Sequence, residues 1–138
     1  MKRYSTAVWK GTGKDGQGHL TSESQTLKNT PYSYNTRFEN EIGTNPEELL
    51  AAAHAGCFTM QLAFYLQEAG YKADQLETKS TIKLEDSVIT SSDLKLKASI
   101  KDISKEEFGE LVEKAKNNCP VSKLFKAEIS IHHTLNSE

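Results

Sequence analysis

One stretch constrains this chain more than any other. Thr44-Asn45-Pro46-Glu47-Glu48 has a helix-start residue at each position. Asn45 caps, Pro46 suits the first helical position, and Glu47 and Glu48 favour the positive end of the helix dipole. Glu48, three residues after Asn45, also fits a capping box. From Leu49 to Leu66 nearly every face is apolar, and Gly70 stands where a helix of about 24 residues and roughly 36 Å would end. A helix apolar all round is buried all round. A chain of 138 residues, one domain over 1–138 by length, can hardly wrap such a rod, so a subunit interface along it is expected.

The other segments are shorter. Tyr4 to Lys10 reads as a strand ending in the glycine-rich turn Gly11–Gly16, and His19 to Ser24 and Tyr32 to Phe38 read as further strands. Thr78 to Leu84 and Leu94 to Ile103 alternate apolar and polar residues, as in a half-exposed antiparallel hairpin. Ser104-Lys-Glu-Glu107 opens a second helix with an apolar stripe of Phe108, Leu111, Val112 and Ala115, stopping before Pro120. A short helix over Val121 to Phe125 and a final strand around Ile129 to His133 complete the chain. Strand runs with segregated helices indicate an α+β fold with antiparallel sheets, a long buried central helix and a second helix.

Charge and composition exclude several roles. Seventeen basic against nineteen acidic residues leave a net charge of -2, which argues against broad electrostatic binding to nucleic acid or anionic membrane. No uninterrupted run of about 18 apolar residues exists, so no spanning helix is expected. The first residues carry no apolar signal core, and a cytoplasmic location is the expectation. Two cysteines are too few for a disulfide framework or a four-cysteine zinc site.

Cys57, in mid-helix among alanines, reads first as a small buried hydrophobe. It lies about three turns into the helix, beyond the dipole's reach, so a reactive Cys57 needs a cation from elsewhere in the fold. Cys119, between Asn118 and Pro120, reads first as a boundary residue. His54 shares a helical face with Cys57. A nucleophile–base pair or half of a metal site is conceivable, but no further ligand or third group is spaced to join it, and a satisfied core or interface histidine is favoured. His132 and His133 point to opposite faces of a strand and form no joint site.

Two segments carry a resemblance. Pro31-Tyr-Ser-Tyr-Asn-Thr-Arg-Phe-Glu39 with Gly43-Thr-Asn-Pro-Glu-Glu-Leu-Leu-Ala-Ala-Ala-His-Ala-Gly-Cys-Phe58, and Asn118-Cys-Pro-Val-Ser122 with Lys126-Ala-Glu-Ile129, closely resemble the OsmC/Ohr family of thiol peroxidases, the OsmC branch above all. The resemblance spans essentially the whole chain. It implies an intertwined α+β homodimer with a central helical pair, in agreement with the over-apolar helix. It implies that Cys57 attacks a hydroperoxide, that Cys119 resolves the sulfenic acid as a disulfide, and that Arg37 and Glu47 activate Cys57. Arg37 would then be the missing cation, held by Glu47 in a two-pronged ion pair. By themselves Arg37 reads as a strand surface residue, and Glu47 and Glu48 as first-turn carboxylates.

The resemblance further implies organic or lipid hydroperoxide as substrate, a dithiol reductant of the lipoyl type, and a role in oxidative or osmotic stress defence. No cofactor is expected, since both electrons pass through sulfur. Phe38, Phe58 and Met60 are candidates for an apolar substrate pocket, though by themselves such residues are more often plain core. Glu47 and Cys57 are ten residues apart, about 15 Å along a straight helix. Either the helix breaks near Gly56, or the site borrows Glu47, with Arg37, from a second subunit. The competing readings are a non-catalytic stress-related or apolar-ligand-binding dimer and, less supported, a Cys57/His54 hydrolase.

Overall fold

A computed structural model describes residues 1–137 of the chain. They divide into two compact units, the first Met1–Leu49 and the second beginning at Leu50.

In the first unit, β1 (Ser5–Lys10), β2 (Gln17–Ser22) and β3 (Thr30–Tyr32) form an antiparallel sheet in that order. Gly18 on β2 lies opposite Trp9 and Tyr32, whose rings meet edge to face at 5.4 Å. A Cβ on Gly18 would stand 2.5 Å from the Trp9 ring and 2.6 Å from the Tyr32 ring, so the aromatic pair requires glycine there. The expected strand over Tyr32 to Phe38 is corrected. β3 stops at Tyr32, and Tyr34–Phe38 is a short helix, α1. Ser33 Oγ accepts the Thr36 N–H and Thr36 Oγ1 accepts the Ser33 N–H. This reciprocal local cap overrides the strand preference of the aromatic residues.

α2 (Pro46–Glu68) begins and ends as its sequence requires. Asn45 Oδ1 accepts the Glu48 N–H at 2.7 Å. Glu48 does not close the expected box; its carboxylate accepts the Thr44 hydroxyl at 2.8 Å instead. At the other end Gly70 has φ +92°, its N–H donates to Gln67 and that of Tyr71 to Leu66. That is a Schellman end, which glycine enters without steric cost. The helix runs unbroken through Gly56.

In the second unit, β4 (Ala73–Glu85) and β5 (Val88–Ile100) form a hairpin longer than its alternating segments predict. Asp86 and Ser87 both take positive φ in a two-residue turn that matches the twist of the strands. β6 (Glu128–Leu135) pairs with β5 in parallel, so this sheet is mixed rather than antiparallel throughout. α3 (Lys105–Asn118), capped by Ser104, and α4 (Pro120–Leu124) connect the strands.

Leu94, Leu96, Ala98 and Ile100 alternate inward from β5 and join Phe58, Leu62 and Leu66 of α2 and Phe108, Val112 and Ala115 of α3 in one core. α2 is therefore not buried all round within one chain. His54, Phe58, Leu62 and Leu66 are buried, while Met60 is 64% and Phe64 53% exposed. By length and hydropathy α2 is also apolar enough to cross a membrane, which a count of uninterrupted apolar residues misses. Its buried stripe belongs to the core of the second unit.

Candidate active site

The four candidate residues form two pairs, one in each unit. In the first unit Arg37 sits in the last turn of α1 and Glu47 in the first turn of α2. Arg37 donates to Glu47 Oε1 from Nε at 3.0 Å and from Nη2 at 2.6 Å. The expected fork is present, and such charge-assisted pairs fix orientation as well as attraction. Arg37 also lies over the Phe38 ring at 5.1 Å. A small cavity of about 140 Å³ beside it is lined by Trp9, Tyr32, Tyr34, Arg37 and Phe38, among others.

In the second unit Cys57 and Cys119 meet as free thiols, with Cys119 Sγ 2.8 Å from Cys57 Sγ. Cys57 is half-buried on α2, and Cys119 is fully buried as both the last cap of α3 and the first cap of α4. Pro120 at the start of α4 enforces this break. Burial is the main cause that pushes the Cys57 thiol up from its ordinary pKa, followed by the hydrogen bond from Cys119. The Val121 N–H, on the first turn of α4, acts in the opposite direction. Among the described residues no cation acts on Cys57.

An open apolar groove of about 300 Å³ adjoins Cys57, lined by Gly56, Cys57, Met60, Gln61, Phe64 and Pro120. Of the three expected pocket residues only Met60 lies here. Phe58 is fully buried in the core, because it faces β5 and α3 rather than the groove. Phe38 is in the first unit beside Arg37. Sequence reasoning misses Phe64, although its position four after Met60 and seven after Cys57 puts it on the same helical stripe.

His54 is fully buried, as a satisfied core histidine. Its Nδ1 lies 2.6 Å from Ser92 Oγ and its Nε2 2.8 Å from Ser122 Oγ. Burial lowers its pKa. It makes no base for Cys57, since both ring nitrogens are engaged elsewhere. His132 and His133 do part to opposite faces: His132 stands 3.6 Å from Asp93 and His133 packs edge-on against Phe108. Among the described residues no group of three or more His, Cys, Asp or Glu is arranged to hold a metal ion.

The family model described as OsmC-like protein matches residues 38–134. Peroxiredoxin OsmC of Escherichia coli (strain K12) is 42% identical over 99% of each chain. The chain belongs to the OsmC-like family. This OsmC-like chain is also 32% identical to Organic hydroperoxide resistance protein OhrB of Bacillus subtilis (strain 168), over 88% of itself and 92% of that protein. Among solved structures, the OsmC like protein from Mycoplasma pneumoniae superposes with a TM-score of 0.78 over 98% of this chain and 97% of that one. At 16% identity that likeness concerns the fold alone.

Proposed function

We propose that this chain is a cysteine peroxidase that reduces organic hydroperoxides to alcohols. The observation that carries the reading is the 2.8 Å approach of Cys119 Sγ to Cys57 Sγ, from residues 62 positions apart, beside an apolar groove. A non-catalytic binder has no use for such a thiol pair. The relatives' names, a peroxiredoxin and an organic hydroperoxide resistance protein, lie in the same direction.

In this reading the Cys57 thiolate attacks the terminal oxygen of R–O–OH. The O–O bond breaks, the alkoxide leaves with the electron pair and takes up a proton as alcohol, and Cys57 becomes a sulfenic acid. Cys119 sulfur then attacks the Cys57 sulfur. An S–S bond forms, the S–O bond breaks, and hydroxide leaves with the thiol proton as water. A dithiol, of lipoyl type, returns both cysteines to thiols by exchange in a reducing cytosol. Groove residues Met60 and Phe64 receive the organic part of the substrate.

The half-buried Cys57 needs a cation to favour its thiolate, and Arg37 is the candidate. α2 does not break at Gly56, so we assign Arg37 and Glu47 to the Cys57 of a second copy in a homodimer. The exposed apolar residues Met60 and Phe64 on α2 support a partner surface there.

Turnover of cumene hydroperoxide with a dithiol tests the reading. Cys57→Ser is expected to abolish it, and Cys119→Ser to allow one oxidation and then stall. Normal cycling of either variant with a small dithiol would overturn the assigned order of attack and resolution.

A further inference from the structure

Beside the cysteines a chain of polar groups, buried except for the half-buried Ser80, runs through the second unit. Ser80 Oγ lies 3.1 Å from Ser92 Oγ, Ser92 Oγ 2.6 Å from His54 Nδ1, and His54 Nε2 2.8 Å from Ser122 Oγ. His54 and Ser92 are fully buried and Ser122 nearly so. Buried polar groups are costly unless paired, and apolar residues would fill this space without that requirement. The chain's position gives it a use. His54 stands one helical turn before Cys57 on α2, and its far partner Ser122 belongs to α4. α4 is the element that begins at Cys119 and sends the Val121 N–H to Cys57.

α4 cannot hold this posture unaided. It has five residues and no side-chain cap, too short for a helix to be stable from its own hydrogen bonds. Besides its neighbour α3 and the packing of Val121 on the core, two polar links to α2 orient it: Cys119 and Val121 on Cys57, and Ser122 on His54. The edge of the Phe125 ring on His54, with centroids 5.0 Å apart, closes the same contact just beyond α4. The first link is remade during any chemistry at Cys57, because its sulfur changes partners. The second is not.

We propose that His54 is a positioning residue which, through Ser122, keeps α4 seated so that the Val121 N–H and the Cys119 sulfur remain aimed at Cys57 throughout the reaction. The Val121 N–H favours the Cys57 thiolate, against the burial that opposes it. Cys119 stays within reach while Cys57 is a sulfenic acid, so that condensation to disulfide and water outruns further oxidation. The second consequence rests on the peroxidase reading; the first does not.

Ser122→Ala tests the link at its α4 end. Two quantities are read on the full chain: the pH profile of Cys57 carboxamidomethylation by iodoacetamide, located by mass spectrometry, and the rate of disulfide formation after one equivalent of cumene hydroperoxide, set against sulfenic acid trapping by dimedone. Ser122→Ala should leave about three- to tenfold less thiolate at pH 7, a rise in the profile midpoint of about 0.5–1. It should slow disulfide formation about tenfold relative to sulfenic acid formation. Ser122→Thr, which keeps the hydroxyl, should restore both. Tyr71→Phe, which removes the Tyr71–Glu107 hydrogen bond away from this contact, should leave both unchanged whatever its effect on stability. If Ser122→Ala does not fold, His54→Phe, which fills the ring's space but cannot bond Ser122, is read in the same way and should show the same displacement. Wild-type profiles in the folded variant, or an equal displacement in Tyr71→Phe, would overturn the proposal. A wild-type chain that consumed no hydroperoxide would overturn the peroxidase reading, while the alkylation profiles still decided the positioning role.

Discussion

In the second unit the inward residues of β5, one stripe of α2 and one stripe of α3 form a continuous apolar core. In Met1–Leu49 the buried side chains are polar: Ser33, Thr36 and Thr44. Val8, Tyr34, Phe38 and Ile42 of that unit are exposed, Ile42 almost completely. Each large apolar side chain buried in the second unit stabilises by about 1.5–3 kcal/mol, whereas a hydrogen bond of the kind that shapes the first nets about 0.5–1.5 kcal/mol. Local caps, turns and one aromatic pair can shape the first unit, but a segment this short without a core is poorly supported by itself. Each pair of site residues therefore gets its rigidity from a different source. The cysteines are fixed by a core and by α4, the Arg37–Glu47 pair by a charged fork on a locally capped turn.

The contrast can be broken most decisively by subunit mixing. Cys57→Ser and Glu47→Ala chains should each be inactive. Random 1:1 mixing should recover about one quarter of wild-type peroxidase activity, since half of the dimers are mixed and each holds one intact site. If mixed dimers form and the mixture stays inactive, the first unit does not serve a second copy. Core truncation gives the next largest effect. Phe58→Ala should lower stability in urea unfolding by about 3–5 kcal/mol, and Phe38→Ala by less than about 1 kcal/mol. An equal loss would mean that Phe38 is covered in solution, and the contrast would fail.

The smallest effect concerns pH. Burial holds the pKa of His54 below the ordinary imidazole value of 6.5. The unfolded chain therefore takes up its proton more readily, and the stability due to a neutral His54 is complete above about pH 6.5 and lost as pH falls through the folded-state value. The Tm of the wild type should accordingly fall more steeply between pH 7 and pH 5 than that of His54→Gln. Parallel curves would show that His54 does not titrate with unfolding.

Much of this was legible in the residues, for reasons that differ by position. The alternation of Leu94, Leu96, Ala98 and Ile100 shows one buried face because side chains in a strand alternate. The same strand extends back through Ser91, Ser92 and Asp93, whose polarity hides it; Ser92 faces inward because His54 is there to meet it. Ser33 and Thr36 carry a capping signal that the neighbouring Tyr32, Tyr34 and Phe38 obscure. The groove beside Cys57 was only half visible. Met60 stands out as an apolar neighbour of the cysteine, but whether Phe58 or Phe64 joins it depends on which side of α2 the sheet covers.

Both ends of α2 are encoded locally, because an asparagine cap, a first-turn proline and a glycine in the left-handed region act within a few residues of themselves. The two-pronged reach of Arg37 to Glu47 was likewise legible in the sequence once their family motif was read. Long-range packing, by contrast, brings Cys57 to Cys119, lays β6 parallel to β5, and closes Ser92 and Ser122 on His54. Those contacts join residues 37 to 68 positions apart. No local propensity encodes them. They follow from how the apolar faces of α2, α3 and β5 collapse on one another, a choice made by burial over the whole unit rather than by any neighbouring pair of residues.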